Sequence, residues 1–279
     1  MKLQYVKLDP CGNTTALILD AVEPRQIPAV AAAVMGERSL GVEQVGFLQK
    51  PRERGALARM QMMGGEFCGN ASRSFAAFLA MGGLCGLPYR HHPAAEGRQV
   101  LDIEVSGHDG LLSVEVEGNK TENGCFAAVD MPLPAGIVWA DDTRLGHYAM
   151  VRFEGITHFV LPEAAPDAAL LDAARAILRA QGVEAMDLGL MFAAGDFTAI
   201  TPLVAIEAVG STVWESSCGS GSVATACALA ARAGKSVENL ALSQPGGRLS
   251  VSAELAGGRI VRTRLAGDIS VASYGEVFI

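Results

Sequence analysis

The chain has 279 residues, half of them hydrophobic and 19% charged, with a formal net charge of −8. This composition rules out a disordered chain and allows one large domain or two of roughly 140 residues. An acidic balance without a Lys/Arg block argues against nucleic acid and anionic membranes as partners. No apolar run approaches the ~20 residues of a membrane helix. Met1 to Asp20 alternates like a strand and lacks a cationic start followed by an apolar stretch, so no secretory signal and a cytoplasmic location are expected.

In chain order, Val6 to Asp20 reads as short alternating strands. Glu66-Phe-Cys68-Gly69-Asn70 then opens an apolar, Ala-rich helix that runs to Gly82-Gly83. Val100 to Val105 and Leu112 to Val116 form a hairpin about Gly107-His-Asp-Gly110. The polar stretch Glu117 to Phe126 is the expected domain boundary. Val151 to Leu161 alternates again, and Asp167 to Gly182 reads as an amphipathic surface helix. Glu215-Ser-Ser-Cys218-Gly219-Ser220-Gly221 opens a second Ala-rich helix, which ends near Gly234. Arg248 to Leu255 and Arg259 to Leu265 form a second hairpin, about Gly257-Gly258.

Strands, a Cys-Gly helix start and a Gly-turned hairpin therefore occur twice in the same order. The expected fold is α+β, with two pseudo-symmetric domains, each a mostly antiparallel curved sheet around one buried central helix. The halves are expected at 1–120 and 121–265, with the active site where they meet.

Six cysteines stand at 11, 68, 85, 125, 218 and 227. They are too sparse for a disulfide scaffold, and neither a Cys-x-x-Cys nor a zinc-type Cys/His spacing occurs. The two that open helices are set apart by their position. A helix N-terminus stabilises a thiolate through its macrodipole and unpaired N–H groups, and can lower the thiol pKa from ~8.5 into the ~3.5–7.5 range. The same N–H groups bind anions, and the following glycine lets a carboxylate approach the backbone. Two such thiols facing one substrate carbon from opposite sides would invert a stereocentre, one as base and the other as acid, with no cofactor required.

Glu66-Phe-Cys68-Gly69-Asn70-Ala-Ser-Arg73 resembles the Met-Cys-Gly-Asn-Gly-x-Arg motif of diaminopimelate epimerases, and Ser217-Cys218-Gly219-Ser220-Gly221 resembles their Ala-Cys-Gly-Thr-Gly. Gly12-Asn13, Gly41-Val-Glu-Gln44, Val129-Asp-Met-Pro132, Pro245-Gly-Gly-Arg-Leu249 and the segment from Gly267 to Ile279 extend the likeness along the chain. The resemblance implies that Cys68 and Cys218 are the acid/base pair. It implies that Asn13, Gly69, Asn70, Gly219 and Ser220 hold the amino acid head group, with Gln44 lining the site. It also implies that a last strand over 266–279 completes the first half, and that the protein is a homodimer.

The chain departs from that family at the substrate's distal end. Val209 and Gly210 replace a Glu-Arg pair, Gly155-Ile156-Thr157-His158 lacks an Asn, and none occurs over Gly189 to Met191. Gly-Asn-x-Thr, Glu-Gln-Val-Gly-Phe, Glu-Phe-Cys-Gly-Asn-Ala, Trp-Glu-x-Ser-Cys-Gly-Ser-Gly and Gln-Pro-Gly-Gly are more similar to cofactor-independent histidine racemases of opine-metallophore synthesis. The proline racemase family shares the two-cysteine logic, but its Met-Cys-Gly-His motif is absent. The expected substrate is histidine, with diaminopimelate or another amino acid as the alternative. A non-catalytic protein that binds a small carboxylate is the alternative of another class.

Other residues carry plainer readings. Cys11 precedes a strand, and Cys85, Cys125 and Cys227 read as packing residues. Gly219 to Ala224 approximates a dinucleotide-binding turn, but a hairpin follows it. No Gly-x-Ser-x-Gly elbow occurs. His91-His92 reads as a solvated pair and His158 as a structural strand residue. Glu43 is a candidate partner for an imidazole, and Trp214 and Glu215 are candidates to shape the pocket.

Overall fold

A computed structural model describes residues 1–83, 97–118, 123–183, 187–207 and 211–279. Cys85, His91, His92, Val209, Gly210 and the middle of the Glu117–Phe126 stretch lie outside the described residues. The elements in chain order are β1 (Lys2–Asp9), β2 (Thr15–Ile18), α1 (Ile27–Met35), β3 (Gln44–Gln49), β4 (Arg59–Met62), α2 (Gly69–Ala80), β5 (Arg98–Val105), β6 (Leu112–Gly118) and β7 (Gly124–Asp130). They continue with β8 (Gly136–Asp142), β9 (Gly146–Arg152), β10 (Ile156–Leu161), α3 (Leu170–Ala180), β11 (Asp187–Ala193), β12 (Ile200–Ile206) and β13 (Ser211–Trp214). The last are α4 (Gly219–Ala233), β14 (Val237–Gln244), β15 (Gly247–Ala256) and β16 (Arg259–Phe278). The class is α+β, as expected. Two compact units divide the chain: Met1–Val129 with Ala266–Ile279, and Asp130–Leu265.

In the first unit, β1 to β7 lie in spatial order, and β16 neighbours both β7 and β1. Most pairs are antiparallel, but β2–β3 and β4–β5 are parallel. Helix α2 is buried at every position except its last, and packs against β2, β5 and β6. A helix buried on every side sits within the layer of strands, and its polar Asn70 and Arg73 are paired with each other there. Helix α1, which the sequence reading did not assign, packs Ile27, Val30, Ala31 and Val34 with Ile18, Val45 and Phe47. Its apolar spacing is helical, but a proline in the first turn and its short length hide that pattern.

In the second unit, six strands run in the order β13-β12-β11-β10-β9-β8. Only β10–β11 is parallel, and α3 makes that crossover. Leu171, Ala174 and Leu178 of α3 join the core with Phe159, Leu190 and Leu203. Helix α4 packs against β8 to β11 and against β14 and β15. Gly234 ends α4 in the left-handed region at φ 65°, a conformation that costs glycine little. Gly257 and Gly258, at φ 56° and 78°, make the two-residue turn from β15 to β16.

Candidate active site

Cys68 is the N-cap of α2, with extended backbone at φ −132° and ψ 111°. Its carbonyl accepts the Ser72 N–H at 2.9 Å and the Ser72 hydroxyl at 2.8 Å. The half-buried sulfur accepts the Ala71 N–H at 3.5 Å. Gly69 and Asn70 follow as the first helical residues, both buried. Asn70 Oδ1 accepts from Arg73 Nη2 at 2.8 Å, and Arg73 Nη1 donates to the Gly267 carbonyl at 3.1 Å. Arg73 is fully buried, and desolvation pulls its guanidinium down to about 10, against the opposing influence of Cys11, Cys68, Cys125 and Asp268.

Asn13 and the Glu43-Gln44 pair belong to the same unit. Thr14 O accepts both the Glu43 and Gln44 N–H groups at 3.0 Å, which ties the turn after Asn13 to the start of β3. Asn13 Nδ2 donates to Glu43 Oε2 at 3.0 Å. The imidazole candidate Glu43 is thus already bonded to another candidate site residue.

Cys218 repeats the arrangement at the start of α4, with φ −110° and ψ 109°. Its carbonyl accepts the Ser222 N–H at 3.0 Å and the Ser222 hydroxyl at 2.6 Å. The Ser220 hydroxyl lies 3.6 Å from its sulfur and 2.9 Å from His158 Nε2. His158 is entirely buried, and desolvation pushes its imidazole down to about 3, so the ring is neutral. Gln244, at the end of β14, accepts the Cys218 N–H at 2.7 Å and donates to Ser222 Oγ at 3.0 Å.

The expectation of a lowered thiol pKa is corrected at Cys218. This side chain is 5% exposed, and burial pushes its thiol well above the usual range. The Glu215 carboxylate adds to the rise, and the Gly221 N–H and Ser220 hydroxyl oppose it weakly. The helix-start rule assumes access to solvent, and here burial prevails over the Gly221 N–H and the Ser220 hydroxyl.

Gln244, His158 and Arg73 contact the two helix starts, a placement that the sequence reading did not assign. Gln244 and Arg73 lay within quoted motifs, but a clamp on a helix start from a later strand leaves no periodic signal. Cys125 and Cys227 are buried with thiols pushed up to about 12, in keeping with packing roles. Trp214 is exposed and packs beside Phe192 at 5.7 Å between ring centroids. Among the described residues, no group of three or more His, Cys, Asp or Glu side chains is placed to hold a metal ion. No helix is long and apolar enough to cross a membrane among the described residues.

The fold is shared with solved structures of low sequence identity. These include a phenazine biosynthesis protein of the PhzF family from Bacillus anthracis (TM-score 0.69, 15% identity, covering 100% of both chains). A probable proline racemase from Agrobacterium radiobacter K84 gives a TM-score of 0.65 at 14% identity, over 99% of this chain and 93% of that one. In sequence, the chain is 30% identical to a histidine racemase of Fusobacterium nucleatum, covering 99% of this chain and 97% of that protein. It is 22% identical to a histidine racemase of Staphylococcus aureus, over 99% and 98%. The family model described as the histidine racemase CntK N-terminal domain matches residues 2–278. With a match of that length and two Cys-Gly helix starts of common geometry, the chain belongs to the histidine racemase family.

Proposed function

We propose that the protein racemises histidine at Cα without a cofactor, using Cys68 and Cys218 as the acid/base pair. The observation that carries this reading is the repeated helix start: a cysteine N-cap, a glycine at the first helical position, and a serine four residues on that bonds back to the cysteine carbonyl. Each start presents a sulfur beside first-turn N–H groups, which suit an α-carboxylate and stabilise the charge that builds on it as Cα is deprotonated.

The high pKa of Cys218 makes it the proton donor in the free enzyme. Cys68, whose sulfur is only half-buried, is the base. In one turnover Cys68 takes the α-proton and Cys218 delivers its own to the opposite face of Cα. Cys68 is then the thiol and Cys218 the thiolate, the form that acts on the other enantiomer. Asn13, Gln44, Gly69, Asn70, Gly219 and Ser220 hold the head group in this reading. Histidine as substrate is supported by the relatives named histidine racemase. Kinship with diaminopimelate epimerases is supported by motif alone, and Val209 and Gly210 provide no charge for a distal carboxylate.

Incubation in deuterated water tests the reading. L- and D-histidine should each gain deuterium at Cα and approach a racemic mixture, while diaminopimelate turns over at least ~100-fold less efficiently. Absence of exchange with every amino acid tried would leave only carboxylate binding.

A further inference from the structure

Asn13 lies in a turn whose two preceding residues, Cys11 and Gly12, have φ of 70° and 101°, in the left-handed region. The turn is otherwise well bonded: Asp9 accepts the Gly12 N–H, Gly12 O accepts Thr14 N at 2.9 Å, and Thr14 O accepts two N–H groups from the start of β3. The exception is the Asn13 side chain, which is 3% exposed. Its Nδ2 is bonded to Glu43, while its buried Oδ1 has no hydrogen-bond partner among the described residues.

A carboxylate can only accept hydrogen bonds. The bond at 3.0 Å therefore fixes which end of the Asn13 amide is nitrogen, and directs Oδ1 away from Glu43. A buried carbonyl oxygen without a donor is costly, and such an atom in a folded protein marks a place where something else completes the bond. That atom requires a hydrogen-bond donor, and the carboxylate behind the amide favours a cationic N–H.

Resting on the amino acid racemase reading, we propose that Asn13 Oδ1 receives an N–H of the substrate's α-ammonium, and that Glu43 is a positioning residue that locks the Asn13 amide for it. This assigns Glu43 to a feature common to all α-amino acids, in place of the imidazole contact expected from the sequence.

Two ligands that differ at the head group separate the roles. L-Histidine carries the ammonium, and imidazolepropionate has the same ring and carboxylate without it. In Glu43→Ala and Asn13→Leu, KM for histidine should rise ~10-fold or more, the loss of one charge-assisted hydrogen bond. The inhibition constant of imidazolepropionate should stay within about two-fold, because that ligand makes no such bond. Glu43→Gln keeps an acceptor oxygen for Nδ2 and should recover most of the loss. It also serves as the folded control if Glu43→Ala fails to fold, since its histidine KM must then lie near wild type. An equal loss of imidazolepropionate and histidine binding, or a Glu43→Gln variant as weak as Glu43→Ala, would overturn the assignment. Failure of wild-type protein to exchange the α-proton would instead overturn the racemase reading.

Discussion

His158 makes stability depend on acid in a way that can be calculated. The ring is 0% exposed on β10, with Nε2 on Ser220 Oγ at 2.9 Å, and a Cβ at Gly189 would come within 2.2 Å of Nδ1. Burial takes the imidazole from 6.5 to about 3. The unfolded chain binds a proton near 6.5 and the folded chain does not until about 3, so folding loses free energy as pH falls through that window. At about 1.4 kcal/mol per pH unit, the loss between about pH 8 and pH 5 is ~2 kcal/mol, and it is complete near pH 3 at ~5 kcal/mol. Urea denaturation of wild type and His158→Gln at several pH values isolates this contribution, because the other histidines and the carboxylates titrate in both proteins. His158→Gln, whose amide can still reach Ser220, should be the less stable protein at pH 8. The gap should shrink by ~2 kcal/mol at pH 5. Parallel curves would show that the ring is charged or solvated in the folded protein, and would refute the argument.

Cys68→Ser and Cys218→Ser should each reduce racemisation by ~10³-fold or more, since a hydroxyl is too weak an acid to supply the base at neutral pH; loss of optical rotation is the measurement. Gln244→Met removes the acceptor of the buried Cys218 N–H and should cost ~1–3 kcal/mol in denaturant unfolding, with a fall in kcat as the helix start loosens. Gly189→Ala drives a Cβ to 2.2 Å from the rigid His158 ring and should destabilise by ~1–3 kcal/mol, measured as a lower Tm.

Local chemistry was the legible part of the sequence. The Cys-Gly helix starts, the Gly257-Gly258 turn and the amphipathic α3 each depend on neighbours within a few positions, and each forms where the residues indicate. β16 was harder to follow. The alternation is readable to Leu265, Ala266 and Gly267 interrupt it, and the strand nevertheless continues to Phe278 because β1 pairs with its second part. The site partners were hidden for the same reason. His158 is an ordinary strand residue until the fold sets it beside Ser220, and Gln244 is an ordinary strand end until its amide closes on Cys218.

The two helix starts share a skeleton and differ in what surrounds the sulfur, a difference that bears on the proposed acid/base roles. Both cysteine carbonyls are held by the backbone and hydroxyl of a serine four residues on, so the N-cap geometry is set by the repeated residues. The sulfur of Cys68 is half-buried and accepts a backbone N–H. That of Cys218 is buried, beside a carboxylate that disfavours its charge. A racemase that removes a proton from one face and delivers one to the other must begin each turnover with one thiolate and one thiol. Under the proposed two-thiol mechanism, Glu215 and the burial of Cys218 favour the form with its proton on Cys218, which acts on one of the two enantiomers. Glu215→Gln should therefore let Cys218 ionise at lower pH and move the alkaline limb of the rate profile downward, with thiolate absorbance in the ultraviolet as the direct readout. An unshifted profile would mean that burial alone sets the bias.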